Sequence, residues 1–228
     1  MKTAKNINDK EFAALARAAQ KSIENPGKSQ IPLPKTESKK FPQVYVFRHT
    51  QTYDNARRIF SGRRNTTLTS LGNKQAKELS LKLKNKKIDL FISSPQKRCL
   101  ETVVKIMKLH PEAILKLEPL LRERDYGDLT GRSKRKLMKE NFKMAVLVRR
   151  GYDIAPPHGE SLKTVKEKRV YPFLKKLVKE IKRKKMNVAI CATGNTVRFI
   201  RMYFEKLPLI KALTIEIPYD DYAAYIVK

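Results

Sequence analysis

The chain has 228 residues, enough for one α/β domain with a real core and an extension. Its 51 Lys and Arg against 22 Asp and Glu give a formal charge of +29, while 41% apolar residues exclude disorder throughout. Cys99 and Cys191 form no paired motif, which argues against a disulfide framework or zinc knuckle, and no apolar run is long enough to span a bilayer.

The first nine residues lack the apolar core of a secretory signal, so a cytoplasmic protein is expected. Asp9 to Glu24 sets Phe12, Leu15, Ala16, Ala19 and Ile23 at helical spacing, and Pro26-Gly27 stops that helix. Pro32, Pro34 and Pro42 among polar residues then mark a linker or a strap over the surface. Residues 1–41 thus read as a helical extension with a Pro-containing linker, and residues 42–228 as the main domain. Gln43 to Phe47 is a short buried strand, Leu71 to Leu83 a helix, Ile88 to Ile92 a strand, Gln96 to Lys108 a helix and Ile114 to Leu117 a strand. Ser161 to Lys184 is a long helix with Ser161 as its N-cap. Asn187 to Ala192 is a strand, Asn195 to Glu205 a helix, and Leu213–Ile217 and Tyr222–Val227 are closing strands. Strands separated by helices predict an α/β fold, a three-layer α/β/α sandwich around a mostly parallel sheet.

The charge does not decide the partner. A basic chain attracts nucleic acid through counterion release, but here the charge is spread along the sequence. Residues 1–41 carry nine basic and four acidic groups. The densest stretch, Lys163 to Lys185, has eleven basic and two acidic residues and reads as an amphipathic helix with a solvated lysine face. A positive field gathers small anionic substrates equally well. Nothing in the sequence specifies an oligomeric state.

In parallel sheets ligands sit at the carboxyl ends of the strands. The first such end presents Arg48-His49-Thr50, the second Ser93 to Arg98, and the third Thr193 to Arg198, where a helix starts at once. A histidine and an arginine on one loop, a second arginine on the next and a helix N-terminus on the third would form a cradle for a phosphate dianion. A neutral imidazole there can attack phosphorus. Each residue alone has an ordinary surface or structural reading; their combination points to the site.

Arg48-His49, Asn55, Ser61-Gly62 and Leu68-Thr-Ser-Leu-Gly72 resemble the opening of the histidine phosphatase superfamily, and within it cofactor-dependent phosphoglycerate mutase. Pro95 to Arg98, Leu121 to Gly131, Arg149-Arg150-Gly-Tyr-Asp153, Pro156-Pro157, Gly159 to Leu162 and Gly194 to Arg198 continue the likeness in order, over about residues 43–227. The resemblance implies a phosphoglycerate mutase-like catalytic domain in residues 42–228. It implies that His49 becomes phosphohistidine, that Arg48, Arg98 and Asn55 hold the phosphoryl group, and that Glu123 is general acid and base. Ser61, Gly62, Arg124, Tyr126, Lys134, Arg149 and Arg150 are similar to the mutase's substrate-binding set, and Gly194 and Asn195 open the last segment of the site. The implied activity interconverts 2- and 3-phosphoglycerate after priming by 2,3-bisphosphoglycerate, without a metal. A carboxylate on the substrate accounts for the second basic cluster, which a plain phosphatase would not require.

Three positions depart from the family pattern. Thr193 stands where the family has its second catalytic histidine. Exchange of a charge-assisted for a neutral hydrogen bond forfeits about 1–2 kcal/mol, or roughly tenfold in rate. Thr50 replaces a glycine and is expected either to crowd the phosphate pocket or to line it. His158 is a conceivable substitute for the absent imidazole. The chain also ends soon after its last strand, so a long C-terminal lid is not expected and water would reach the phosphoenzyme more easily. The rival readings are a histidine-type phosphomonoesterase, a silenced phospho-ligand-binding homologue, and a nucleic-acid-binding module resting on net charge alone.

Overall fold

The computed structural model describes residues 7–29 and 31–228. Ten α-helices among these residues are α1 (Asp9–Glu24), α2 (Tyr53–Ala56), α3 (Ser70–Leu83), α4 (Lys97–Met107), α5 (Lys134–Glu140), α6 (Phe142–Arg150), α7 (Leu162–Thr164), α8 (Tyr171–Lys184), α9 (Gly194–Glu205) and α10 (Leu209–Thr214). The strands are β1 (Gln43–Arg48), β2 (Leu90–Ser93), β3 (Ile114–Leu117), β4 (Val188–Ala192) and β5 (Tyr222–Ile226). They form one sheet in the order β3-β2-β4-β1-β5, parallel except for β5, which runs antiparallel to β1.

The central strands β1 and β4 are buried on both sides, as helix-covered parallel strands are, whereas the edge strand β3 is largely exposed. Their side chains alternate between two cores. Val44, Val46, Val188 and Ile190 face α1, α8 and α9, whereas Tyr45, Phe47, Phe91, Ala189 and Cys191 face α3 and α4. Val103, Ile106, Leu79 and Leu83 come from α3 and α4 and are fully buried, each contributing about 1.5–3 kcal/mol of hydrophobic stabilisation. The expected three-layer α/β/α sandwich is the fold observed.

Local signals explain the helix ends. Asn8 accepts a hydrogen bond from Glu11 N (2.9 Å) and starts α1, and Thr69 caps α3 through Gly72 N (2.9 Å). Ser161 caps α7 as expected, accepting from Thr164 N (3.0 Å), but the long helix is not regular. A π-helical segment, Val165–Val170, joins α7 to α8, with Pro172 in the first turn that follows.

Leu213–Ile217 is not a strand. Leu213 lies within α10, which ends at Thr214, and residues 215–217 leave it without joining the sheet. The carbonyls a strand would offer to a neighbour instead accept from arginines. Leu213 O accepts from Arg150 (3.1 Å), Ile215 O from Arg198 (2.9 Å) and Ile217 O from Arg48 (3.3 Å). The apolar alternation was real, since Leu213, Ile215 and Ile217 are buried, but the hydrogen bonds go elsewhere.

The N-terminal segment lies on the main domain. Leu15, Ala19 and Ile23 of α1 enter the larger core. The strap runs along the outer edge of β5, where Ala224 N donates to Pro34 O (2.8 Å) and Thr36 N to Ala224 O (3.0 Å). No helix of the described residues is long and apolar enough to cross a membrane.

Candidate active site

Register brings the carboxyl ends of β1, β2 and β4 level: Phe47 is opposite Cys191, and Ser93 is opposite the same residue on the other side. The residues that follow therefore converge on one pocket. A cavity of about 80 Å³ there is lined by Arg48, His49, Asn55, Ser61, Gly62, Arg98, Glu123, Tyr126, Lys134, Arg149, Arg150, Gly194 and Asn195, all singled out in the sequence.

His49 is 2% exposed, and its Nδ1 lies 2.8 Å from Thr50 O. A carbonyl only accepts, so Nδ1 carries the proton and Nε2 keeps its lone pair. Burial, followed by the charges of Arg98 and Arg48, pushes the imidazole pKa well below its usual value. The ring is therefore neutral and nucleophilic.

Two arginines flank it. Arg98 is anchored by donation from Nη1 to Arg64 O (2.9 Å) and from Nη2 to Gly62 O (3.0 Å), yet its buried Nε has no partner. Arg48 lies with its guanidinium 4.5 Å from the Tyr219 ring centroid, and its buried Nε is likewise unpartnered. Buried donors left unmade are costly, so their presence beside a neutral histidine marks a place for an anion. Gly194 lets Arg48 close in, because a Cβ there would sit 3.3 Å from the guanidinium carbon. Thr193 provides no side-chain cap to α9, so the first amides of that helix are available to the same anion.

Glu123 Oε1 accepts from Arg124 N (2.8 Å) and from Asn195 Nδ2 (3.0 Å), and Asn195 also donates to Tyr126 Oη (3.1 Å). Asn55 closes a capping box with Thr52 at the start of α2. Lys134, half-buried as a residue, has its pKa lowered to about 7 by burial of the ammonium, with Arg149 and Arg48 adding to the effect.

Two expected site residues are not brought into the pocket. Thr193 is fully buried, and its hydroxyl donates to Thr196 Oγ1 (3.1 Å), which itself donates to Arg122 O (3.1 Å). Its short side chain is thereby turned to the backbone of the neighbouring loop. Arg124 is also fully buried, but its guanidinium donates to the carbonyls of Glu160, Val148 and Ile154. It ties down the loop and the end of α6 that carries Arg149 and Arg150. Thr50 neither crowds nor lines the pocket: it is fully buried, with its hydroxyl 3.5 Å from Thr102 Oγ1 on α4. His158 is a surface residue whose Nδ1 lies 3.0 Å from Asp128 Oδ1, and it does not line the pocket.

Six further lining residues are Ser22, Pro26, Arg58, Arg198, Glu216 and Tyr219. Glu216 accepts from three arginines: Arg48 on Oε1 (3.3 Å), and Arg150 (3.2 Å) and Arg198 (3.1 Å) on Oε2. Burial alone would raise its pKa, but Arg198, Arg150 and Arg48 outweigh burial and lower it to about 2. The one signal for it in the sequence was an acid between two isoleucines, Ile215-Glu-Ile217. Carbonyls of α1 complete this wall. Arg149 donates to Ala19 O (2.8 Å) and Ser22 Oγ (2.5 Å), Arg150 to Ala18 O (3.2 Å), and Arg58 to Ile23 O (2.6 Å). These acceptors lie in the last turns of α1, the negative end of its dipole.

A neutral, desolvated imidazole thus lies between two guanidinium groups with orphaned Nε donors and a helix N-terminus, a cradle that suits a phosphoryl dianion. The chain belongs to the histidine phosphatase superfamily (branch 1), whose family model matches residues 44–227. It is 34% identical over 169 residues to a 2,3-bisphosphoglycerate-dependent phosphoglycerate mutase of Nitrobacter winogradskyi, covering 72% of this chain and 81% of that protein. It is 32% identical to a probable phosphatase of Schizosaccharomyces pombe, over 71% and 73% of the two chains. Among solved structures, mycobacterial glucosyl-3-phosphoglycerate phosphatase bound to VO3 matches with a TM-score of 0.70 at 23% identity, over 80% of this chain and 92% of that one. The α-ribazole phosphatase of Shigella flexneri matches with a TM-score of 0.69 at 22% identity, over 80% and 89%. The sequence relatives so matched are named as mutase and as probable phosphatase. Among the described residues no group of three or more His, Cys, Asp or Glu is arranged to hold a metal ion.

Proposed function

We propose that this protein is a phosphohistidine phosphomonoesterase acting on a small phosphorylated metabolite. The observation that carries the proposal is the pair of unpartnered, buried Arg48 and Arg98 Nε groups around the neutral His49. His49 Nε2 attacks phosphorus and the P–O bond to the alcohol breaks. Arg48, Arg98, Asn55 and the α9 amides carry the charge of the transferred group. Glu123, held by Asn195 and its neighbouring amide, protonates the departing alkoxide. It then takes a proton from the water that attacks phosphohistidine, which releases phosphate and restores the imidazole.

A second reading is transfer to another hydroxyl, the 2- and 3-phosphoglycerate interconversion primed by 2,3-bisphosphoglycerate. The presence of Lys134, Arg149 and Arg150 in the pocket favours it, as do relatives named mutases. The fit is partial. The phosphoryl end suits the orphaned arginines, but the terminal nitrogens of Arg149 and Arg150 already donate to protein atoms. Product analysis on 3-phosphoglycerate and on simple phosphomonoesters, with and without 2,3-bisphosphoglycerate, tests both readings. Hydrolysis that needs no primer and vanishes in His49→Ala is expected; primed isomerisation without net phosphate release would establish the mutase instead. Activity surviving in His49→Ala would remove both.

A further inference from the structure

The second basic cluster holds a carboxylate of the protein's own. Glu216 lines the same cavity as His49, its side chain is only 12% exposed, and it takes hydrogen bonds from Arg48, Arg150 and Arg198. Recognition of a substrate carboxylate calls for a guanidinium fork with two free N–H groups. The Arg150 fork is engaged on both arms, with three of its five N–H groups committed: Nη1 donates to Leu213 O, and Nη2 to Ala18 O and Glu216 Oε2. Both terminal nitrogens of Arg149 are turned to α1. Gly27 N, just beyond α1, reaches Glu216 Oε1 at 3.4 Å, so the carboxylate is held from the N-terminal segment as well. Another carboxylate brought here would meet the like charge of Glu216 and guanidinium groups already engaged by the protein.

We propose that Glu216 fills, from within the protein, the subsite for an acidic group on the alcohol part of the substrate, so that the pocket selects phosphomonoesters whose leaving alcohol carries no carboxylate. This inference rests on the phosphomonoesterase reading and narrows it to a substrate class. It assigns a specificity-determining role to Glu216 and a positioning role to the residue 18–27 segment, which lies outside the span matched by the family model. Against this class, 2,3-bisphosphoglycerate and the phosphoglycerates are disfavoured ligands.

The test compares sn-glycerol 3-phosphate with 3-phosphoglycerate, two esters that differ in a hydroxymethyl group against a carboxylate. Phosphate release and phosphohistidine labelling are measured for both, on the full-length wild type and on Glu216→Gln. The wild type is expected to prefer the glycerol ester in kcat/KM by about tenfold or more, and Glu216→Gln to move that ratio at least tenfold towards 3-phosphoglycerate. A wild type that uses 3-phosphoglycerate as well as or better than the glycerol ester overturns the proposal, as does an unchanged ratio in Glu216→Gln. Should Glu216→Gln not fold, the wild-type preference alone decides. Labelling of His49 with an unfavourable ratio sinks only the role of Glu216. If neither ester labels His49, the phosphomonoesterase reading falls too.

Discussion

The pocket's chemistry rests on residues whose ionisation is set by what they touch. His49 stays neutral because its surroundings are buried and cationic, and the Thr50 carbonyl fixes which nitrogen is free. Lys134 supplies a cation that can be switched off, because its pKa is lowered to about 7. It is charged below that value and neutral above it. The kcat/KM for a phosphomonoester should therefore fall as pH rises through about 7, and Lys134→Arg should remove that limb of the pH–rate profile. A profile that keeps the limb in Lys134→Arg would show that another group causes it. At this scale the sequence was most informative, because His49, Arg48, Arg98, Asn55 and Glu123 sit in short motifs directly after strands or in one loop. It was least informative for Thr193 and Arg124. A motif position does not fix where a side chain points: Thr193 turns to Thr196, which is itself held by the distant Arg122 O, and Arg124 turns to three carbonyls 24 to 36 positions away.

Among the elements, α1 and the segment after α10 do most to shape the second half of the pocket. The periodicity of Asp9 to Glu24 gave the helix to the residue. It could not show that the last turns of α1 face Arg58, Arg149 and Arg150, since those contacts span up to 132 positions. The same limit hid Glu216, Arg198 and Tyr219. It also explains the strand expected at Leu213–Ile217, where arginine donors replaced a neighbouring strand. The turn at Gly27 joins these elements. Its φ of +72° is left-handed, and a Cβ there would lie 2.0 Å from the Tyr219 ring. Gly27→Ala should therefore destabilise the fold by about 2 kcal/mol or more, a drop in melting temperature of roughly 4–8 °C. An unchanged melting temperature would mean that the turn and Tyr219 move apart without cost.

Across the whole molecule, the charge reads as a solvated surface around a concentrated basic pocket. Lys175, Lys176, Lys179 and Lys182 of α8 are exposed opposite buried Leu174, Leu177 and Ile181, the lysine face that the sequence pattern describes. The buried charges make stability depend on acid in a defined way. Glu216 is lowered from 4.5 to about 2, so its contribution is complete above pH 4.5 and is lost as pH falls towards 2. His49 is held well below 6.5, so below pH 6.5 the unfolded chain binds a proton that the folded chain refuses, and stability falls there too. Thermal melts from pH 7 to 2 should show a decline that begins near 6.5 and continues below 4.5. His49→Gln should flatten the upper part and Glu216→Gln the lower part, and a wild-type melting temperature constant between pH 6.5 and 3 would contradict both assignments. The layered α/β architecture was legible because strand and helix alternate with clear stops. The packing of the N-terminal segment onto the site was not, because a Pro-rich strap does not encode where it lies.

The decisive test concerns His49 itself. The full-length protein would be mixed with a 32P-labelled phosphomonoester, quenched in alkali to preserve N-linked phosphate, and mapped by mass spectrometry. The proposed mechanism predicts acid-labile phosphate on Nε2 of His49 and on no other residue, since Nδ1 is bound to the Thr50 carbonyl. Phosphate on Nδ1, on a different side chain, or still present in His49→Ala would contradict the account.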